Sequence, residues 1–215
     1  TYGKFAAPVD YLDKVLFSII RQYGYDVKFD VVREGFFPKG GSIVNVHSKI
    51  GKLKEINILE KGDIIEINGI SVASLSLKKK EVAERQAKEA KRILFEKFKS
   101  PVKIVVKYND TICPGSGLQL WIRTENSILG SNSFGELRKS SEQIGREAAN
   151  NLIFEYENGT VDRYTADQLL PYLALYGKGK IKTSMITNHI KTNAWLIEKF
   201  LDVKFDIKDN IISLL

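Results

Sequence analysis

The chain has 215 residues, 43% of them hydrophobic and 27% charged, a balance that fits one or two globular domains and excludes a disordered or fibrous chain. No run approaches the ~18 apolar residues of a membrane span, and the opening TYGKFAAPVDYL has no secretory-leader pattern. One cysteine, Cys113, excludes an internal disulfide framework and agrees with a reducing, cytoplasmic setting, while a formal charge of +7 favours a polyanionic partner or a surface kept soluble by lysine.

In chain order, residues 10–23 predict an amphipathic helix with Leu12, Val15, Leu16, Ile19 and Ile20 on one stripe, Asp10 as N-cap and Gly24 as its stop. YDVKFDVVREG alternates apolar and polar residues, and the turn PKGG leads back into SIVNVHS, so a hairpin follows. GDIIEINGISV reads as a further strand pair turning at Asn68–Gly69. A long helix from Leu77 to Phe98 places Ala83, Ala87, Ala90, Leu94 and Phe98 on its apolar stripe. Strands are expected at 102–108 and 118–124, then a helix from Ser140 to Leu152, punctuated by the NGT of 158–160. The last part predicts a helix at 165–176, a strand at 181–187, a helix at 192–201 and strands at 203–207 and 211–214. Helices and short strands mix without a repeated βαβ rhythm, which implies an α+β fold with largely antiparallel sheets. Residues 52–156 form a middle block that reads as an inserted domain, with 1–51 and 157–215 packing together around it.

Few residues are candidates for chemistry. His47 lies within an alternating strand and reads as a face residue. His189 lies where a strand hands over to a helix, so it is either a satisfied helix-start histidine or a group held out on a rigid support. Metal-ligand spacings, a Walker loop and a dinucleotide fingerprint are all missing from the sequence, and no metal ligand is assigned. Nothing near Cys113 would activate it as a nucleophile. Thr165-x-x-Gln168 has the form of a capping box with Asp167 in the first turn, and the same polar residues at a helix N-terminus suit a nucleotide's ribose or phosphate.

Five stretches in order carry a resemblance: GFFPKGG (35–41), PGSGLQLWIRTE (114–125), FGE with its following SSEQIGREAANNL (134–152), DRYTADQLLPYLALYGKG (162–179) and TNHIKTNAWLIEKFLDVKF (187–205). Together they resemble the RNA 3'-terminal phosphate cyclase family, especially its archaeal members, through nearly the whole chain. The resemblance implies an ATP-dependent ligase that converts RNA 3'-phosphate ends to 2',3'-cyclic phosphates through an adenylated histidine. The histidine of its H-x-x-TN motif falls on His189. A neutral imidazole is the nucleophilic form, and a helix mouth near Lys178, Lys180 and Lys182 attracts phosphate.

The resemblance further implies that Tyr164 stacks on adenine, that Asp167 and Gln168 bond the nucleotide within the Tyr164–Thr165–Ala166–Asp167–Gln168 stretch, and that Pro8 and Phe134 line the same pocket. It implies ATP with Mg2+ or Mn2+ as cofactors and an RNA with a 3'-phosphate as partner. The implied fold is a large domain of repeated sheet-plus-helix units, each like the C-terminal domain of translation initiation factor 3, with a thioredoxin-like α/β domain inserted. Family members carry further chain ahead of the position of Thr1, including the main metal ligand, so the expectation is a fragment or one piece of a split protein. The alternatives are a non-catalytic cyclase-like ribosome-assembly protein, which lacks the histidine, and a plain RNA-binding module.

Overall fold

The computed structural model describes residues 2, 3 and 6–214. The first helix comes in three pieces: α1 (Val9–Tyr11), a π-helical run (Leu12–Leu16) and α2 (Phe17–Gln22). Its predicted stripe is buried at Val15, Leu16, Ile19 and Ile20, joined by Tyr11. The cap is Pro8 and not Asp10, because the proline ring already holds φ at −61° and needs no N–H there. Asp10 lies in the first turn and accepts the Tyr2 hydroxyl. Gly24, at φ +97°, ends the helix against the Lys52 carbonyl, where a Cβ would come within 2.1 Å. The hairpin follows as β1 (Asp26–Arg33) and β2 (Ile43–Lys49), antiparallel, with His47 opposite Lys28 on an exposed strand.

Two mixed four-stranded sheets make up the rest; the class is α+β and the pairing is largely antiparallel, with one parallel strand pair in each sheet among the described residues. The first contains β4 (Ile64–Ser74), β5 (Val102–Asn109), β6 (Ser116–Thr124) and β7 (Ile128–Phe134) in the order β5-β4-β6-β7. β4 is one continuous strand of 11 residues; Asn68–Gly69 is not a turn. The strand is central, paired with β5 on one side and β6 on the other, and a Cβ at Gly69 would come within 2.6 Å of Leu120. Glycine here serves close side-chain packing across strands. A 3-10 turn (Leu75–Lys80) and α3 (Val82–Phe98) cross from β4 to the parallel β5. α4 (Ser141–Asn158) carries a complete Ser140–Gln143 capping box and runs past the predicted end at Leu152. Ala87, Ala90, Leu94, Ile144, Ala148 and Leu152 pack with Leu118, Leu120 and Ile122 into one core.

The second sheet contains β3 (Ile56–Ile58), β8 (Gly179–Lys182), β9 (Phe205–Lys208) and β10 (Ile211–Leu214) in the order β3-β8-β10-β9. β3 falls inside the middle block of the sequence yet pairs, parallel, with β8 of the last segment. α5 (Arg163–Tyr176) and α6 (Asn188–Phe200) cover this sheet together with the first helix, burying Ile56, Ile58, Ile181, Ile212, Leu169, Leu173 and Ile190. β8 stops at Lys182, short of the predicted 187, because residues 183–187 turn out of the sheet to cap α6. That helix therefore starts at Asn188 instead of 192. Among the described residues no helix is long and apolar enough to cross a membrane.

Candidate active site

β3 and β8 are parallel, and α5 and α6 each begin near the C-terminal ends of that pair: Val161 bridges Thr183, one residue beyond β8. Helix N-termini gathered at the carboxyl ends of parallel strands present outward N–H groups and positive dipole ends. A phosphate-bearing ligand is suited to such a place.

α5 is capped by Asp162, whose carboxylate accepts the Tyr164 N–H at 3.1 Å and the Thr165 N–H at 2.9 Å. The Thr165-x-x-Gln168 box is not formed. An aspartate at the preceding extended position takes the cap, and the Thr165 hydroxyl turns inward to Asp162 at 2.9 Å and the Tyr11 hydroxyl at 2.6 Å. Asp162 also accepts the Tyr11 hydroxyl at 2.6 Å and the Gly130 N–H at 2.9 Å. Its carboxylate is 0% exposed and receives five donors from three elements, α1, β7 and α5. Burial pushes its pKa up and the donors pull it back.

Behind it, buried Glu155 of α4 accepts the Arg163 Nε at 2.5 Å, the Arg163 N–H at 3.1 Å and the Ser184 hydroxyl. Burial and the Asp162 charge raise the Glu155 pKa. The start of α5 is thus braced from four sides.

The helical period then sorts the predicted nucleotide residues. Tyr164, Asp167 and Gln168, spaced i, i+3 and i+4, share one face; Tyr164 is 55% exposed, Gln168 is exposed and Asp167 half-buried. Thr165 and Ala166 point the other way and are fully buried. Side-chain contact with a ligand is therefore open to the first three alone.

On α6, Thr187 is the N-cap, accepting the Ile190 N–H at 3.2 Å. His189 lies in the first turn and is exposed, while Ile190, Ala194 and Ile197 form the inward stripe. Asn193 follows His189 by four residues, one turn on along the same face. Its amide donates to the Asp167 carboxylate, joining the two helices. The exposed imidazole thus projects within about one turn, ~5.4 Å, of the residue that holds Asp167.

Pro8 precedes Tyr11 by three residues and is buried at the start of α1. Phe134 ends β7, edge-on to Tyr2 with centroids 6.3 Å apart, and borders a cavity of about 420 Å3 with Phe36, Phe37, Pro114 and Leu137. It stands four residues beyond Gly130, hence about 13 Å along the strand from the Asp162 contact at ~3.3 Å per residue. The segments around Pro8 and Tyr164 therefore meet through Tyr11 and Asp162, and α6 joins them through Asn193, whereas Phe134 stands apart at its own cavity. Cys113 is elsewhere: its thiol donates to the Phe36 carbonyl at 3.1 Å within the Tyr2–Phe36–Val72 cluster.

Sequence reasoning passed over Asp162, Tyr11 and Glu155. The D-x-x-T of residues 162–165 is itself a cap signal that identifies the first of them; Tyr11 and Glu155 sit in ordinary helical patterns and carry none.

The family model described as RNA 3'-terminal phosphate cyclase matches residues 1–207. Over 206 residues the chain is 38% identical to a protein of that name from Pyrococcus abyssi, an alignment covering 95% of this chain and 59% of the relative. Relatives of the same name from Pyrobaculum aerophilum and Sulfurisphaera tokodaii are each 37% identical, covering 93% of this chain and 58% of their own length. The chain thus spans about three fifths of the curated relatives it matches. A match running from the first helix through both α5 and α6 makes this chain a member of the RNA 3'-terminal phosphate cyclase family.

Proposed function

We propose that the chain carries the nucleophile and part of the nucleotide pocket of an ATP-dependent enzyme that closes RNA 3'-phosphate ends to 2',3'-cyclic phosphates. A ring nitrogen of His189 attacks the α-phosphorus of ATP. The P–O bond to the β-phosphate breaks, pyrophosphate leaves, and AMP is held by a new P–N bond. An oxygen of the RNA 3'-phosphate then attacks the same phosphorus, breaking the P–N bond and freeing the imidazole. The adjacent 2'-oxygen attacks the 3'-phosphorus, its proton passes to solvent, and AMP departs as the ring closes.

The observation that carries this reading is the exposed His189 in the first turn of α6, one turn ahead of the Asn193 that holds Asp167. Tyr164 offers an exposed ring for adenine, and stacking of this kind contributes about 1–3 kcal/mol per base. Asp167 and Gln168 on the same face would bond the nucleotide, with Pro8 bordering the pocket from α1 and Phe134 farther off at the end of β7. Mg2+ or Mn2+ would arrive on the ATP phosphates. Among the described residues no group of three or more His, Cys, Asp or Glu is arranged for a resident ion.

The same reading extends to architecture. Residues 1–51 and 157–215 form the large domain and 52–156 the inserted thioredoxin-like one, which lends β3 to the outer sheet. α2, β1 and β2 repeat the helix-then-hairpin order of α6, β9 and β10, as expected of repeated units like the C-terminal domain of translation initiation factor 3.

The test is covalent labelling. Incubated with α-labelled ATP and Mg2+ or Mn2+, the protein is expected to take up label that acid releases, as from a phosphoramidate, and His189→Ala to take up none. Labelling by the 215-residue chain is expected to be weaker than by full-length relatives, given the share of their length it spans. Equal labelling of the alanine variant would remove His189 from the mechanism. A non-catalytic family member would leave ATP untouched with either residue.

A further inference from the structure

The outward face of the β3-β8-β10-β9 sheet plays no part in the site above, and strand register determines what stands on it. Ile56, Ile58, Ile181 and Ile212 point into the core, so the alternate residues point away. Across the sheet, Asn57, Lys180, Ser213 and Asp206 form one row, and Lys182, Ile211 and Lys208 the next. Lys180, Lys182 and Lys208 are exposed.

Among the described residues none of these three lysines has an ion pair, whereas neighbouring Lys178 is bound to Glu55 at 3.4 Å and Lys204 to Glu198 at 2.8 Å. Asp206 is the one carboxylate in the two rows. Lys61 adds to the field from the edge: its ammonium lies 4.1 Å from the Tyr156 ring centroid and bonds the Tyr156 carbonyl. Burial and the charge of Lys182 lower its pKa, and the charge of Glu157 raises it.

Lys180 and Lys182 are two residues apart on one strand, about 6.6 Å. Lys208 stands two strands over from Lys182, about 9.6 Å. Neither row contains an aromatic ring, so the face has phosphate-binding charge without a stacking platform for bases. Lys182 ends β8, and the chain reaches His189 after only the 183–187 turn.

We propose that this sheet face, through Lys180, Lys182 and Lys208, holds backbone phosphates of an RNA strand whose 3' end lies at His189. The inference rests on the reading that the chain acts on RNA ends. Binding here is independent of sequence and sensitive to salt, since each neutralised phosphate releases counterions.

The experiment measures affinity for a 3'-phosphorylated single-stranded 20-mer RNA, without ATP, across a salt series. The variants are Lys180→Gln/Lys182→Gln/Lys208→Gln and the matching triple arginine. At about −0.7 per phosphate for single strands, removing three contacts makes the slope of log affinity against log salt shallower by about 2. The glutamine variant is expected to bind at least tenfold more weakly at low salt, and the arginine variant to keep the parent slope. A nucleoside 3'-phosphate, which has no backbone phosphate beyond its end, should bind both alike. An unchanged slope in the glutamine variant overturns the proposal, as does an equal loss for the nucleoside 3'-phosphate. Labelling by ATP in the absence of RNA reports separately on His189, so failure of the enzymatic reading leaves the salt slope interpretable.

Discussion

The Asn193–Asp167 bond is where a residue-scale argument bears on chemistry. Asp167 alone could turn freely on α5, and His189 alone could point anywhere from the first turn of α6. The amide of Asn193 removes the first freedom and fixes the spacing of the two helices at the level of His189. Losing it is expected to slow labelling of His189 about 10- to 100-fold, since misplacement by an ångström costs about that much. Asn193→Ala and Asp167→Ala should not be additive: the double variant is expected to label no more slowly than the worse single one. Additive losses in a rapid-quench measurement would mean that the two side chains act separately. Thr165 shows the opposite case, a residue of the same motif whose hydroxyl serves Asp162 and Tyr11 in the interior.

At the scale of elements, α3 and α4 meet closely because Gly145 has no side chain; a Cβ there would come within 2.4 Å of the Gln86 carbonyl. The outer edge of this contact is ionic. Glu89 lies between Arg92 at 2.9 Å and Arg146 at 3.0 Å, and Glu142 accepts two bonds from Arg85. Bonds from Arg92 and Arg146 hold the Glu89 pKa down to about 2 from an ordinary 4.5, and Arg85 does the same for Glu142. A carboxyl whose folded pKa is depressed binds fewer protons folded than unfolded, so its contribution is complete above pH 4.5 and lost as pH falls towards 2. These are surface groups screened by solvent, so the effect is small. Thermal melting is expected to decline across that window and to decline less steeply in Glu89→Gln. An identical pH profile for the variant would remove the arginine pairing as its cause.

For the whole molecule, Asp162 is the junction, joining the first helix, the β7 edge of one sheet and the helix that covers the other. Asp162→Ala takes the carboxylate acceptor from Gly130, leaves the Tyr11 hydroxyl only Thr165, and removes a helix cap, which together are expected to cost about 2–4 kcal/mol in urea unfolding. Hydrogen exchange should quicken at Gly130 together with Tyr164 and Thr165. Loss confined to the α5 amides would reduce Asp162 to a local cap. Sequence alone located the helices and the first hairpin, because amphipathic stripes and strand alternation are local in the chain, and the H-x-x-TN and Tyr164–Gln168 stretches fall at the starts of α6 and α5. It misread Asn68–Gly69, since a glycine needed for packing between two neighbouring strands looks the same as one needed for a turn. It placed the start of α6 too late, because Thr187 becomes a cap only once β8 ends at Lys182. β3, with three residues, was too short for any period to register, and only its partner β8 makes it a strand. Tertiary structure alone decided which polar residues of α5 face outward and which lysines share a sheet face. Those choices depend on contacts between residues as far apart as Tyr11 and Asp162, and a local pattern carries no record of them.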